Sequence, residues 1–389
     1  MEGSREPAPV TGPRRRSVVF AIPELDRGGP DRVMFELLSR VDRARFAPSV
    51  LVSERAGHYL SQLPADVPVN VIAGRSRLGR RYPVWGSLRS VRGSSPDVVV
   101  ATQRMILTMG IASVAFPRGT RLIVRQANDV SADFGALVGQ SFVKHRLARA
   151  LALATLRRAD AVICQSDAMR DDVRTLLGDE ARLHVISNPI DVERAAHRAR
   201  ERVASIPGRP ALISVGRLAP QKGYDLLLPA LVRVRERFPD LHLTIYGDGP
   251  DRAALMQQAI SLGLGTSVTF AGFSPDPLPA VRASDLFVLA SRYEGFPNAA
   301  LEALACGTPV VLTSCPGANS EIVRPGINGR LAADVTPDAI ASAVETAITE
   351  LRSYDGGRIQ ADCRDRFSAE RIVGAYERVI ESVAQRVRP

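Results

Sequence analysis

The sequence predicts an α/β protein made of two doubly wound, Rossmann-like parallel-sheet domains that face a central cleft. Three observations carry that expectation. At 389 residues the chain exceeds one ordinary core and fits two domains of usual size. Apolar runs of four to six residues alternate with longer amphipathic stretches, the pattern of βα units around parallel sheets. The alternation lapses once near the middle of the chain and then restarts.

In chain order, the first series reads as strands at 17–22, 49–52, 69–72, 97–101, 121–124, 161–164 and 183–186. Helical patterns lie between them at 32–39, 144–157 and 167–177, the last opened by Ser166 and closed by Gly178. The longest apolar run, 105–116, is too short to cross a bilayer and reads as a buried helix. After Ser187-Asn188-Pro189 a charged stretch ends in Pro207, Gly208 and Pro210, which predicts a connection between domains. A second series follows, with strands at 211–215, 241–246, 267–271, 285–289 and 309–312. Its helices are expected near 223–237, 250–262, 298–305 and 336–351. The predicted division is a tail at 1–16, a first domain at 17–190, a linker at 191–209 and a second domain at 210–366. A C-terminal helix at 367–389 is free to pack back on the first domain. Paired sheets of this kind bind ligands at the carboxyl ends of their strands, so the cleft is the expected site.

Composition narrows the class. The 45% hydrophobic and 24% charged fractions are those of a globular protein, and no run of about eighteen apolar residues predicts a membrane span. Residues 1–16 hold no apolar block, so a secretory signal is not expected. Cys164, Cys306, Cys315 and Cys363 form no C-x-x-C pair and have no neighbouring His, which argues against zinc and a disulfide framework. Reduced, buried thiols and a cytoplasmic location are expected. The net charge of +10 is uneven: residues 1–200 hold 31 Lys and Arg against 20 Asp and Glu, and the remainder 20 against 21. A basic first domain predicts an anionic contact: nucleic acid, an anionic membrane surface or a phosphorylated acceptor. An arginine-rich composition without any such partner is the alternative. Arg75, Arg77, Arg80, Arg81, Arg89 and Arg92 gather around Tyr82 and Trp85, the only tryptophan. That mixture suits a membrane interface or a lipid-linked phosphate. The plainer alternative is a helix with a solvated basic face and Trp85 packed inward.

Two segments carry chemistry. In Ser214-Val215-Gly216-Arg217-Leu218-Ala219-Pro220-Gln221-Lys222-Gly223, a buried strand ends at Val215 and Gly216 permits a tight turn. Arg217 and Lys222 then lie at the mouth of the sheet, where a planar fork and a point charge suit a diphosphate. Two ordinary surface cations on a solvated loop are the alternative. In the second segment, Glu294-Gly295-Phe296-Pro297-Asn298 leads into a helix that holds Glu302 and stops at Gly307. Free N–H groups around 297–299 can bind an anion. Carboxylates repel phosphate but accept paired hydrogen bonds from a diol, so Glu302 is expected on a ribose and Glu294 on a transferred sugar. The alternative is a dipole-complementing Glu plus a solvated one.

The pair Glu294 and Glu302, separated by seven residues, resembles the signature of retaining glycosyltransferase family 4 (glycosyl transferases group 1), whose fold is GT-B. The likeness extends through Gly216-Arg217, Lys222-Gly223, Tyr246-Gly247-Asp248-Gly249-Pro250, Phe270-Ala271-Gly272-Phe273 and Ala305-Cys306-Gly307-Thr308-Pro309-Val310. It continues to Glu321 and Gly326-Ile327-Asn328-Gly329, covering most of 210–335. The resemblance implies a retaining, metal-independent transfer from a nucleotide-sugar, UDP-linked by preference and GDP-linked second, to a glycan or lipid-linked acceptor. It implies Arg217 and Lys222 on the diphosphate, Glu302 on the ribose, and Glu294 with Gly295, Phe296, Pro297 and Asn298 around the sugar and its phosphate. Gly272 and Phe273 would lie against the base. No cofactor is implied, and no D-x-D run for a bound metal is present. Bacterial surface-polysaccharide assembly, on the inner face of the membrane, is the setting it suggests.

The first half resembles the family less. Gly28 and Gly29, in Asp26-Arg27-Gly28-Gly29-Pro30-Asp31-Arg32, match its glycine-rich loop near sugar and acceptor, and Asp31 also suits a helix start. Many members carry a histidine after the strand at 121–124; here the run is Arg125-Gln126-Ala127-Asn128-Asp129. Arg125 or Asn128 is expected to supply the missing hydrogen bond. Other readings are a phosphorylase or a nucleotide-sugar epimerase on the same fold, and a basic nucleic-acid-binding protein. The last has little support, because aromatics are sparse and no nucleic-acid motif is present.

Overall fold

The computed structural model describes residues 14–26, 28–55, 57–72, 83–126, 142–178, 182–200 and 207–386. The first domain opens with β1 (Arg16–Ile22), α1 (Gly29–Arg40), β2 (Phe46–Val52) and β3 (Val69–Val71). It continues through α2 (Val84–Ser94), β4 (Val98–Thr102), α3 (Met105–Ala112), β5 (Arg121–Arg125) and α4 (Phe142–Arg158). β6 (Ala161–Cys164), α5 (Asp167–Leu177) and β7 (Leu183–Val185) complete it. The second domain comprises α6 (Val192–Arg198), β8 (Ala211–Val215), α7 (Tyr224–Arg237), β9 (His242–Tyr246), α8 (Arg252–Ser261) and β10 (Val268–Gly272). Then follow α9 (Leu278–Ala283), β11 (Leu286–Leu289), α10 (Asn298–Ala305), β12 (Val310–Thr313), α11 (Asn319–Ile322) and β13 (Gly329–Ala332). The chain ends with α12 (Pro337–Thr349), α13 (Gly356–Phe367) and α14 (Ala369–Gln385).

Both sheets are wholly parallel, in the orders β3-β2-β1-β4-β5-β6-β7 and β10-β9-β8-β11-β12-β13. The order reverses between β1 and β4 in one sheet and between β8 and β11 in the other. Loops that leave these strands in opposite directions open a crevice at each switch point. Buried on both faces, Leu286–Leu289 is apolar throughout and Val98–Thr102 is apolar up to its closing Thr102, which is why they read clearly as strands.

β13 was not expected: Gly-Arg-Leu-Ala is too short and mixed to stand out, and it is a strand because it pairs with β12 from Val310↔Gly329 to Thr313↔Ala332. The segment 191–209, expected as a connection, carries a helix, α6. Asp191 caps α6 by accepting from the Arg194 N–H, and Val192 and Ala195 sink into the second domain's core. α14 returns to the first domain, where Ile372, Val373, Tyr376, Ile380 and Val383 join Phe20, Val98 and Ile123 in one core. The chain thus crosses between domains twice, and the crossings bond side by side: Ile190 N–H to Phe367 O at 2.9 Å and Ala369 N–H to Ile190 O at 3.1 Å.

Trp85 is not packed inward, in contrast to the plainer expectation. It projects from α2 at 83% exposure because Ser87, Leu88 and Val91 supply that helix's buried face. Arg75, Arg77, Arg80, Arg81 and Tyr82 lie outside the described residues. Among the described residues no helix is long and apolar enough to cross a membrane.

Candidate active site

A cavity of about 660 Å³ lies between the carboxyl ends of the two sheets. On the second domain's side it starts where β8 ends. The Gly216 N–H donates to Tyr246 O at 2.9 Å, tying the β8 and β9 loops together. Gly247 makes this possible: at φ 144°, a Cβ there would sit 1.9 Å from Gly216 O. Arg217 follows on the cavity wall, and a short 3-10 turn, Pro220–Lys222, brings in Lys222. Its Nζ lies 2.5 Å from Glu294 Oε1, and Ser291 Oγ donates to the same oxygen at 2.5 Å. Ser291 O in turn accepts from Thr313 Oγ1 at 2.6 Å. The Glu294 N–H donates to Pro316 O at 3.0 Å, and Gly317 at φ 119° passes so close that a Cβ would meet Glu294 O at 1.7 Å. Glu294 is therefore 5% exposed and held in one orientation with its carboxylate paired.

Gly295, Phe296 and Pro297 line the cavity, and Pro297 takes the cap position ahead of α10. The Asn298 and Ala299 N–H groups, in the first turn, have no intrahelical partner by geometry and stand at the cavity wall. Glu302, one turn on, is bound across the cleft by Arg32 of α1. Burial pulls the Arg32 guanidinium down from its ordinary value, and Tyr59 and Glu36 oppose that shift. Phe273 lines the cavity with 59% of its surface exposed. Gly272 does not line it: at the end of β10 it accepts the Gly247 N–H at 2.8 Å, so its role is to set the loop before Phe273.

From the first domain, Gly28 and Gly29 reach the cavity. Gly29 passes so near Asn298 that a Cβ would stand 2.6 Å from its Nδ2. Asp31 points away to Gln103 Nε2 at 2.7 Å; burial raises its carboxyl, and that hydrogen bond partly offsets the rise. Asn128 lies outside the described residues.

The expectation for Arg125 is corrected. The last residue of β5, it is fully buried and turns into the interior, where no substrate reaches. Its Nε donates to Tyr376 Oη at 2.9 Å, and its Nη2 donates to Asn188 Oδ1 at 2.7 Å. Asn188 Nδ2 then donates to Asn298 Oδ1 at 2.8 Å. One hydrogen-bonded chain thus runs from α14 through β5 and the interdomain crossing to the start of α10.

Sequence reasoning did not single out Arg32, Asn188 or the cavity residues His58, Tyr59 and Gln62. Asn188 carried a usable signal, since a polar residue before Pro189 at a domain crossing needs a partner. Arg32 carried none, because its partner lies 270 residues away in the other domain.

Two family models match the chain: Glycosyltransferase Family 4 over residues 27–194 and Glycosyl transferases group 1 over residues 197–355. The protein belongs to this glycosyltransferase family. It is 31% identical over 232 residues to the lipopolysaccharide core biosynthesis glycosyltransferase LpsE of Rhizobium meliloti, covering 59% of this chain and 66% of that one. It is 30% identical over 307 residues to the glycogen synthase of Mycobacterium tuberculosis, covering 77% of this chain and 69% of that one. The chain thus spans just under two thirds of the first relative's length. Among solved structures, Anabaena HepE in complex with UDP superposes with a TM-score of 0.76 at 23% identity, over 94% of this chain and 100% of that one. That likeness gives the fold, GT-B.

Proposed function

We propose that this glycosyltransferase moves a sugar from a UDP-sugar to a hydroxyl of a glycan or lipid-linked acceptor, with retention and without a metal. The observation that carries the reading is the convergence, on one cavity wall, of Arg217, Lys222, the open turn of α10 and two carboxylates. Cations and free N–H groups stabilise a diphosphate, and carboxylates hold hydroxyls. Arg217 and Lys222 bind the diphosphate, with the Asn298 and Ala299 N–H groups beside it. Glu302 accepts from the ribose and Glu294 from the transferred sugar, each exchanging part of its present ion pair for a substrate hydroxyl.

In the transfer, the bond from the anomeric carbon to the phosphate oxygen breaks and the acceptor oxygen bonds to the same face. The acceptor proton passes to the departing phosphate oxygen, whose charge Arg217 and Lys222 stabilise. The two cations and the helix start do what a bound metal does in other transferases. Lipopolysaccharide assembly, in the name of the R. meliloti relative, and UDP, in the HepE complex, support the acceptor class and the donor.

Calorimetric titration with UDP, GDP and ADP in EDTA tests the donor site. UDP binding is expected to be the tightest and to fall by roughly tenfold or more in Lys222→Ala, the cost of one charged hydrogen bond. A preference for GDP would change the donor; binding of none of the three by folded protein would overturn the site. The anomeric configuration of the product, read by NMR, tests retention.

A further inference from the structure

We propose that the outer face of α2, α3 and α4 docks on an anionic phospholipid bilayer, with Trp85 as its anchor. Trp85, Arg89 and Arg92 fall at i, i+4 and i+7, so they form one stripe along α2, and all three are exposed. At the far end of the stripe, Arg92 Nε donates to Ala115 O at 3.0 Å, joining α2 to the 3-10 turn after α3. Arg158 Nε of α4 donates to Ser113 Oγ of the same turn at 3.3 Å. The three helices therefore present one continuous surface. From it Val114 and Ile111 project at 71% and 40% exposure near the Arg92 end, and Trp85 projects at 83% from the other end of the stripe.

The charge of this surface has a single sign. Segments 84–94, 98–126 and 142–159 contain no Asp or Glu, although acidic residues are common elsewhere in the chain. Cations that face an anionic headgroup layer, with Trp and aliphatic side chains at the acyl boundary, are what such a bilayer binds. A nucleic acid would use the cations and the indole but has no use for Val114 and Ile111 standing in water. The surface also lies at a useful place. α2 leads into β4, so its first turn, with Trp85, stands at the carboxyl end of the strands, where the cleft opens. Gly86 there abuts Ile72, just past the end of β3. Docking through Trp85 brings the cleft end of the first domain to the lipid surface.

Because Trp85 is the only tryptophan, its emission reports on this surface alone. The full-length protein, without substrates, is mixed at low salt with phosphatidylcholine vesicles with or without phosphatidylglycerol. A blue shift, with quenching by lipids brominated on the acyl chain, is expected with the anionic vesicles only. High salt or the pair Arg89→Glu and Arg92→Glu should weaken binding by roughly tenfold or more. Circular dichroism establishes that the variant is folded. Absence of binding, or co-sedimentation with vesicles without a change in Trp85 emission, would overturn the proposal. So would a shift produced by a single-stranded oligonucleotide and not by vesicles. These outcomes do not depend on the transfer reaction.

Discussion

At the scale of single residues, the site turns on how each charge is held. Glu294 receives Lys222 and Ser291 on one oxygen, so its carboxylate is held in one orientation. Glu294→Gln keeps the shape and removes the charge. Its turnover should fall by roughly 10²–10³ while the Kd for UDP moves little, because in the proposed function the lost interaction is with the transferred sugar. Full activity in that variant would remove Glu294 from the chemistry. Asn188 acts through its neighbours: it takes a hydrogen bond from buried Arg125 and gives one to Asn298. Asn188→Ala leaves a buried guanidinium short of an acceptor, a cost of about 1–3 kcal/mol that thermal unfolding should register. Because Asn298 also loses its alignment, the KM for the donor should rise more than kcat falls. A lower melting temperature with both constants unchanged would make Asn188 a structural residue only.

At the scale of elements, the continuous apolar strands were legible and the short or polar ones were not. β4 and β11 are buried on both sides, so burial alone writes their composition. β13 and α6 depend on what they meet, a neighbouring strand for one and the second domain's core for the other. α14 was legible as a helix, but its strongly amphipathic pattern did not say which domain would receive its apolar face. The structure delivers Ile380 to the core of β1, β4 and β5, at 1% exposure. Ile380→Ala should therefore cost about 2–5 kcal/mol. Hydrogen exchange should quicken in β1 and β4 while β8 and β9 keep their protection; faster exchange in β8 instead would assign α14 to the wrong core.

For the whole molecule, the two cores can be followed separately by their thiols. All four cysteines are free and buried. Burial pushes Cys164, Cys306 and Cys363 up to about 12 and Cys315 up to about 11, from an ordinary 9.0. The folded protein should therefore react very slowly with a thiol-specific disulfide reagent near pH 8. Cys164 belongs to the first domain and the other three to the second, so the number released with rising denaturant tells which domain opens first. Since the folded thiols hold their protons to higher pH than unfolded ones, their contribution to stability is intact below about pH 9 and is lost as the pH climbs toward 12. Prompt release of thiols at pH 8 without denaturant would contradict their burial. The sequence by itself determined the α/β class, the two parallel sheets in outline and the residues that line the second domain's side of the cavity. Those features are local: a strand, a turn glycine and a helix start lie within a few residues of Arg217, Lys222, Glu294 and Glu302. Only the tertiary structure decided that Arg32 closes on Glu302, that Arg125 turns inward to Asn188 and that Trp85 stands in solvent. Each of those depends on groups far apart in the chain and on which face a helix buries, and packing sets both.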